Sequence, residues 1–215
     1  MIIYLETSRF LRVFCQAVGF ILLGVMLMGL CACNITSPQR AFSVEDLMVD
    51  SHELPENWAV LSISDQPIVH FGHDEAIEMI FYYVPDSRQL TRGGITISQH
   101  RSEQHAERAY ARQERGGYDE HSRWITTSVF TPEGFEFASA IADQVRFSCY
   151  GRTSEGLFED NTGCKYLARY DEFVVCFNIT FERGGQTFVT AEEVGKLVTA
   201  IDQQMIKYLA DNRNG

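Results

Sequence analysis

His70-Phe-Gly-His73-Asp74-Glu75 is the densest set of metal-ligating side chains in the chain, with His52 and Glu53 upstream. Zinc or another divalent ion needs three or four such groups converging, and a metal held that way could assist a hydrolysis. One close pair does not supply them, and the His-Glu-x-x-His signature is absent. His70 and His73 are the candidate metal ligands, weighed against a plain polar turn between two strands, and the turn is the preferred reading. His100 and His105 straddle a strand–helix junction and read as surface or capping groups.

Other chemistry-bearing types are arranged without a catalytic pattern. Gly151-Arg-Thr-Ser154-Glu-Gly156 lacks the Gly-x-Ser-x-Gly spacing of a nucleophile elbow and runs from a strand into a loop, so Ser154 reads as solvent-facing. Glu155, Glu159, Asp160 and Asn161 in that loop are oxygen donors suited to Ca2+, but the EF-hand spacing is missing, and a solvated acidic loop is expected. Arg-Gly-Gly occurs at 92–94, 115–117 and 183–185. Isolated copies at element ends in an acidic chain read as turns, not as RNA-binding repeats. No Walker A or dinucleotide glycine pattern occurs. No catalytic residue is assigned and no cofactor is expected.

The elements that would position these groups follow from periodicity. Ser43-Val-Glu-Asp46 resembles a capping box ahead of Leu47, Met48 and Val49, which predicts a short helix. Pro55 stops it, and Trp58 enters the core as its first aromatic. Strands are predicted at 58–62, 78–84 and 94–100, a surface helix at 102–115 with Ala106, Ala109 and Tyr110 inward, and strands at 123–130, 135–137 and 144–150. A loop at 151–163 leads to a hairpin, 164–170 and 173–182, around Asp171-Glu172. Thr190-Ala-Glu-Glu193 caps a last helix whose Val194, Leu197, Val198, Ile201, Met205, Tyr208 and Leu209 share a face. The fold class expected is α+β: an antiparallel sheet with helices packed mainly on one face, preceded by an N-terminal signal or anchor helix.

Pairing Tyr170 with Phe173 sets the hairpin's register. Ala168 then faces Val175, Tyr166 faces Phe177 and Cys164 faces Ile179, all on one face because side chains alternate along a strand. Cys176 pairs with Leu167 on the other face and points away from Cys164. Cys149 shares a face with Val145 and Phe147, so the predicted disulfide is Cys149–Cys164, with Cys176 a small buried thiol.

From Val13 to Cys33 only Gln16 is clearly polar, and Arg9 and Arg12 precede the stretch. It is long enough to cross a bilayer, and the basic flank keeps the amino end in the cytoplasm. A cleaved export signal or a retained transmembrane helix would both place residues 34–215 outside the cytoplasm. The chain carries 18 basic and 29 acidic residues; without Arg9, Arg12 and Glu6 the remainder has 16 and 28, a net of −12. That field repels phosphate backbones, so no nucleic-acid partner is expected.

Leu30-Cys31-Ala32-Cys33 resembles the lipobox of bacterial lipoproteins. The resemblance implies a diacylglyceryl thioether on Cys33, cleavage before it, and a lipid anchor in the membrane as the chain's partner. Asn34 after that Cys would permit sorting to an outer membrane in didermal bacteria. Leu54-Pro55-Glu56-Asn57-Trp58 is similar to the Leu-Pro-x-Gly-Trp opening of exported bacterial domains, including mycobacterial kinase sensor-like ones, with Asn57 in place of Gly. Residues 1–32 are then the signal peptide, 33–41 the lipidated Cys and tether, and 42–215 one globular domain. The reading is a membrane-anchored extracytoplasmic lipoprotein with a non-catalytic binding or sensing domain of unidentified ligand. Two alternatives stand beside it. One is an exported metal-assisted hydrolase around His70 and His73. The other is a structural subunit of an envelope complex, which would expose an apolar patch on the sheet face of Leu167, Val174 and Cys176.

Overall fold

The computed structural model describes residues 40–65, 72–85, 91–117, 129–131, 135, 137–151, 153–154, 157–158, 162–181 and 189–210. All belong to one compact unit, Ser37–Gly215. The leader, Cys33 and most of the tether lie outside the described residues. Among the described residues no helix is long and apolar enough to cross a membrane.

A 3-10 turn, Glu45–Leu47, precedes three strands: β1 (Trp58–Ser64), β2 (Glu75–Tyr83) and β3 (Thr91–Gln99). Helix α1 (Glu103–Gly117) follows, then β4 (Val129–Phe130), β5 (Gln144–Tyr150), the short pair β6 (Thr153–Ser154) and β7 (Leu157–Phe158), β8 (Gly163–Tyr170), β9 (Phe173–Phe181) and helix α2 (Ala191–Leu209). Seven strands form one antiparallel sheet in the order β1-β2-β3-β9-β8-β5-β4, and β6-β7 is a separate two-stranded hairpin within the expected loop. This is the α+β class the sequence predicts. The 3-10 turn and α2 share one face with the main core, while α1 lies on the other.

The β8–β9 hairpin forms in the expected register: Tyr170↔Phe173, Ala168↔Val175, Tyr166↔Phe177, Cys164↔Ile179 and Leu167↔Cys176. Asp171 makes the reversal at φ 52, in the left-handed region that Asp tolerates better than most residues. Alternation sends Phe173, Val175, Phe177 and Ile179 into the main core and Val174 to the second one. Helix α2 starts at a capping box: Thr190 accepts from the Glu193 backbone and Glu193 accepts from the Thr190 backbone, worth about 1 kcal/mol. Its stripe Val194, Leu197, Val198, Ile201, Met205 and Leu209 is buried on the sheet.

Chain entry into β1 explains the Leu-Pro-x-x-Trp stretch physically. Asn57 sits at φ 82, a conformation Gly adopts freely and Asn accepts. The turn aims Trp58 into the core, 5.3 Å from the Phe81 ring and 5.1 Å from the Tyr83 ring.

Five expectations change. Arg92-Gly-Gly94 is not a turn but the interior of β3, because a Cβ on Gly93 would lie 2.5 Å from the Phe81 ring and 2.8 Å from the Asn178 carbonyl. Phe135 and Phe137 belong to no strand; they are packed by their rings. His100 is fully buried, not a surface group. Cys176 is half-buried on the second face. There α1 lays Ala106, Ala109 and Tyr110 over Leu167 and Val174, so the apolar patch a structural subunit would expose on that side is covered.

Candidate functional site

Helix α2 turns its buried stripe to the sheet and leaves a row of short side chains on its flank. Ala191, Gly195 and Thr199 recur one turn apart, with Glu192, Lys196, Ala200 and Gln203 beside them. Phe135 and Phe137 stand against this row, and Glu53 and Pro55 complete the lining. Together they bound an open groove of about 490 Å3, within the range of small-ligand sites.

The aromatic wall is held from behind. Phe135 stacks on Phe147 with ring centroids 3.8 Å apart, and Phe137 meets Tyr166 edge-on at 5.5 Å. Behind them the Ser139 hydroxyl donates to Asp202 Oδ1 at 2.5 Å and accepts from the Ile141 and Ala142 backbone N–H groups. Tyr170 donates to the same Oδ1 at 2.7 Å, so the Tyr166 hydroxyl, 2.7 Å from that of Tyr170, donates to Tyr170. Burial drives both phenol pKa values upward, and the phenols remain protonated donors. Asp202 is thus a buried carboxylate on α2 satisfied by two hydroxyls.

Charges sit at the mouth. Glu192 and Lys196 pair across one turn at 2.9 Å with both groups exposed. Their hydrogen bond holds the Glu192 carboxyl below its usual range and the Lys196 ammonium above its own. No imidazole or thiol is among the described lining residues, so the groove offers shape, two aromatic rings and charge: the means to bind.

The sequence-derived candidates fall elsewhere. His70 lies outside the described residues, as do Cys33, Glu155, Glu159, Asp160 and Asn161. His73 is half-buried just before β2, and among the described residues no group of three or more His, Cys, Asp or Glu side chains could hold a metal ion. His100 Nε2 lies 3.2 Å from Ser98 Oγ, and that hydroxyl also reaches the Val174 carbonyl at 3.3 Å. Among the described residues, the buried Nδ1 atoms of His73 and His100 meet no hydrogen-bond partner. Burial, first, and the charges of His73 and His105 push the His100 pKa below the ordinary 6.5, while the Gly72 backbone and Asp74 oppose them. At the start of α1 the Ser102 hydroxyl accepts from the His105 backbone N–H and lies 2.8 Å from His105 Nδ1, so Ser102 is the capping group there.

Cys149 and Cys164 form the predicted disulfide between directly opposed residues of β5 and β8, with Cα atoms 4.0 Å apart. Cys176 keeps its thiol. The groove escaped sequence reasoning because its walls come from Glu53 and Pro55, from Phe135 and Phe137, and from α2. The short residues Ala191, Gly195 and Thr199, spaced by four on the helix's outer flank, were the available signal.

No family model matches the chain, and no curated protein matches it. Among solved structures it is similar to the crystal structure of the extracellular domain of PknH from Mycobacterium tuberculosis. The TM-score is 0.50 at 10% identity, and the match covers 79% of this chain and 98% of that one. At that identity the likeness is one of fold.

Proposed function

We propose that the chain is a lipid-anchored extracytoplasmic lipoprotein whose domain binds or senses a small ligand without converting it. The groove between α2 and the Phe135–Phe137 wall carries this reading, because it is concave and aromatic on one side and has hydroxyl, amide and charged groups at hand. The location rests on the leader and on Leu30-Cys31-Ala32-Cys33. A disulfide between two buried cysteines suits an oxidising compartment outside the cytoplasm, and a fold shared with an extracellular domain agrees with it.

Multiple acyl chains on Cys33 would hold the protein firmly, since each buried CH2 adds about 0.8 kcal/mol. Cells grown with an alkyne-tagged fatty acid test the anchor. The wild-type protein takes up the tag and fractionates with membranes, and Cys33→Ser abolishes the tagging. A wild-type protein that stays unmarked and cytosolic ends the proposal. For the site, the purified protein is soaked with a fragment mixture and its ligands are located by crystallography. Density in the groove supports it; fragments found only elsewhere count against it.

A further inference from the structure

We infer that the groove along α2 takes a small organic cation: an aromatic or alkyl body against Phe135, Phe137 and Gly195, with an ammonium or guanidinium group toward Glu53. This rests on reading the groove as the ligand site and specifies what it selects. Shape sets the body. A Cβ on Gly195 would lie 3.5 Å from the Phe135 ring, an ordinary contact, so the ring rests beside bare backbone and a side chain much larger than alanine there would crowd the groove. Both rings are only half-buried and offer apolar surface to an occupant.

Charge sets the head group. The rim holds two carboxylates, Glu53 and Glu192, against one ammonium, Lys196. Lys196 is 2.9 Å from Glu192, so that pair largely cancels and the Glu53 carboxylate is left to set the sign of the rim. Glu53 also lies inside a run from Ala41 to Ser87 with ten Asp or Glu residues and no Lys or Arg. The whole chain carries a formal charge of −11. Such a field concentrates cations and repels anions, and a rim beside apolar walls focuses it. The aromatic rings add attraction for a cation passing over their faces.

The probes are 4-phenylbutylamine and its carboxylate isostere 4-phenylbutyrate, titrated calorimetrically into the detergent-solubilised full chain at low and at raised salt. The amine is expected to bind about ten-fold tighter at low salt, a margin that shrinks as salt rises. Glu53→Gln combined with Glu192→Gln, both at the exposed rim, should erase the margin, and Gly195→Leu should abolish binding of both probes. Equal binding of the two probes, or tighter binding of the carboxylate, lost in Gly195→Leu, overturns the cation preference and leaves the groove as a site. Absence of binding, or binding untouched by Gly195→Leu in a variant that keeps the wild-type circular dichroism, overturns the groove reading itself.

Discussion

Arg40 closes on Glu172 through both Nε and Nη2 at 2.7 Å, joining the start of the described chain to the β8–β9 reversal 132 residues on. The Glu172 side chain is fully buried, and Asp171 adds a longer contact at 3.4 Å. A two-pronged guanidinium–carboxylate pair satisfies a charge that would otherwise be stranded out of water. Arg40→Ala should destabilise the domain by about 3–5 kcal/mol, most of it the cost of the orphaned carboxylate. Arg40→Ala with Glu172→Gln should recover a large part of the loss. Urea unfolding midpoints of the two variants decide this; equal midpoints would mean that the orphaned carboxylate is not the source of the loss.

The Cys149–Cys164 bridge spans 15 residues of sequence between two fully buried half-cystines. Loop-closure entropy gives it about 3 kcal/mol, in a model where the bond acts mainly by restricting the unfolded chain. Cys149→Ala or Cys164→Ala should therefore lower the unfolding midpoint substantially, and reductant should do the same to the wild type. Cys176→Ala should shift it little and leave the reductant effect intact. Denaturation with and without reductant is the measurement, and a large response to reductant in Cys149→Ala would contradict the assignment.

His100 makes stability depend on pH. Its folded-state pKa lies below the ordinary 6.5 because burial disfavours the charged ring. The folded protein then binds fewer protons than the unfolded chain, so this contribution is full above 6.5 and is lost as pH falls through 6.5 to the folded value. One proton of difference limits the slope to about 1.4 kcal/mol per pH unit. Unfolding of the wild type between pH 7.5 and 5.5 should be steeper in pH than that of His100→Gln. Parallel pH profiles for wild type and His100→Gln would refute the assignment.

Local pattern reached as far as neighbours along a strand or helix reach. Alternation paired Tyr166 with Phe177, turned Cys176 away from Cys164, and put Cys149 on the face of Val145 and Phe147, because register within a hairpin follows once one pair is chosen. The 3- and 4-residue spacing from Val194 to Leu209 sufficed for α2. It failed where the cause is a distant residue. Gly93 reads as a turn, yet the Phe81 ring from the next strand is what requires it. Phe135 and Phe137 look like a strand by alternation, yet their rings are claimed by Phe147 and Tyr166. His100 is buried by what packs over the β3–α1 junction, which its own flanks do not announce. The groove combines three such long-range placements.

The wall of that groove hangs on a chain of buried hydroxyls, so disturbing the chain's middle should be felt at Ser139. Tyr170 passes the Tyr166 proton donor on to Asp202, and Asp202 in turn holds Ser139. Tyr170→Phe takes a donor from a buried carboxylate and an acceptor from a buried phenol at once. The expected cost is about 2–4 kcal/mol, since bonds to charged groups and unsatisfied buried partners each weigh more than an average hydrogen bond. Because Ser139 and Tyr170 donate to the same Oδ1, losses from Tyr170→Phe and Ser139→Ala should not add. A double-mutant cycle on urea stability should give a coupling of at least about 0.5 kcal/mol, the level that contacting residues reach and distant ones do not. If the two losses simply sum, Asp202 does not link the sheet's phenols to the Phe135–Phe137 wall.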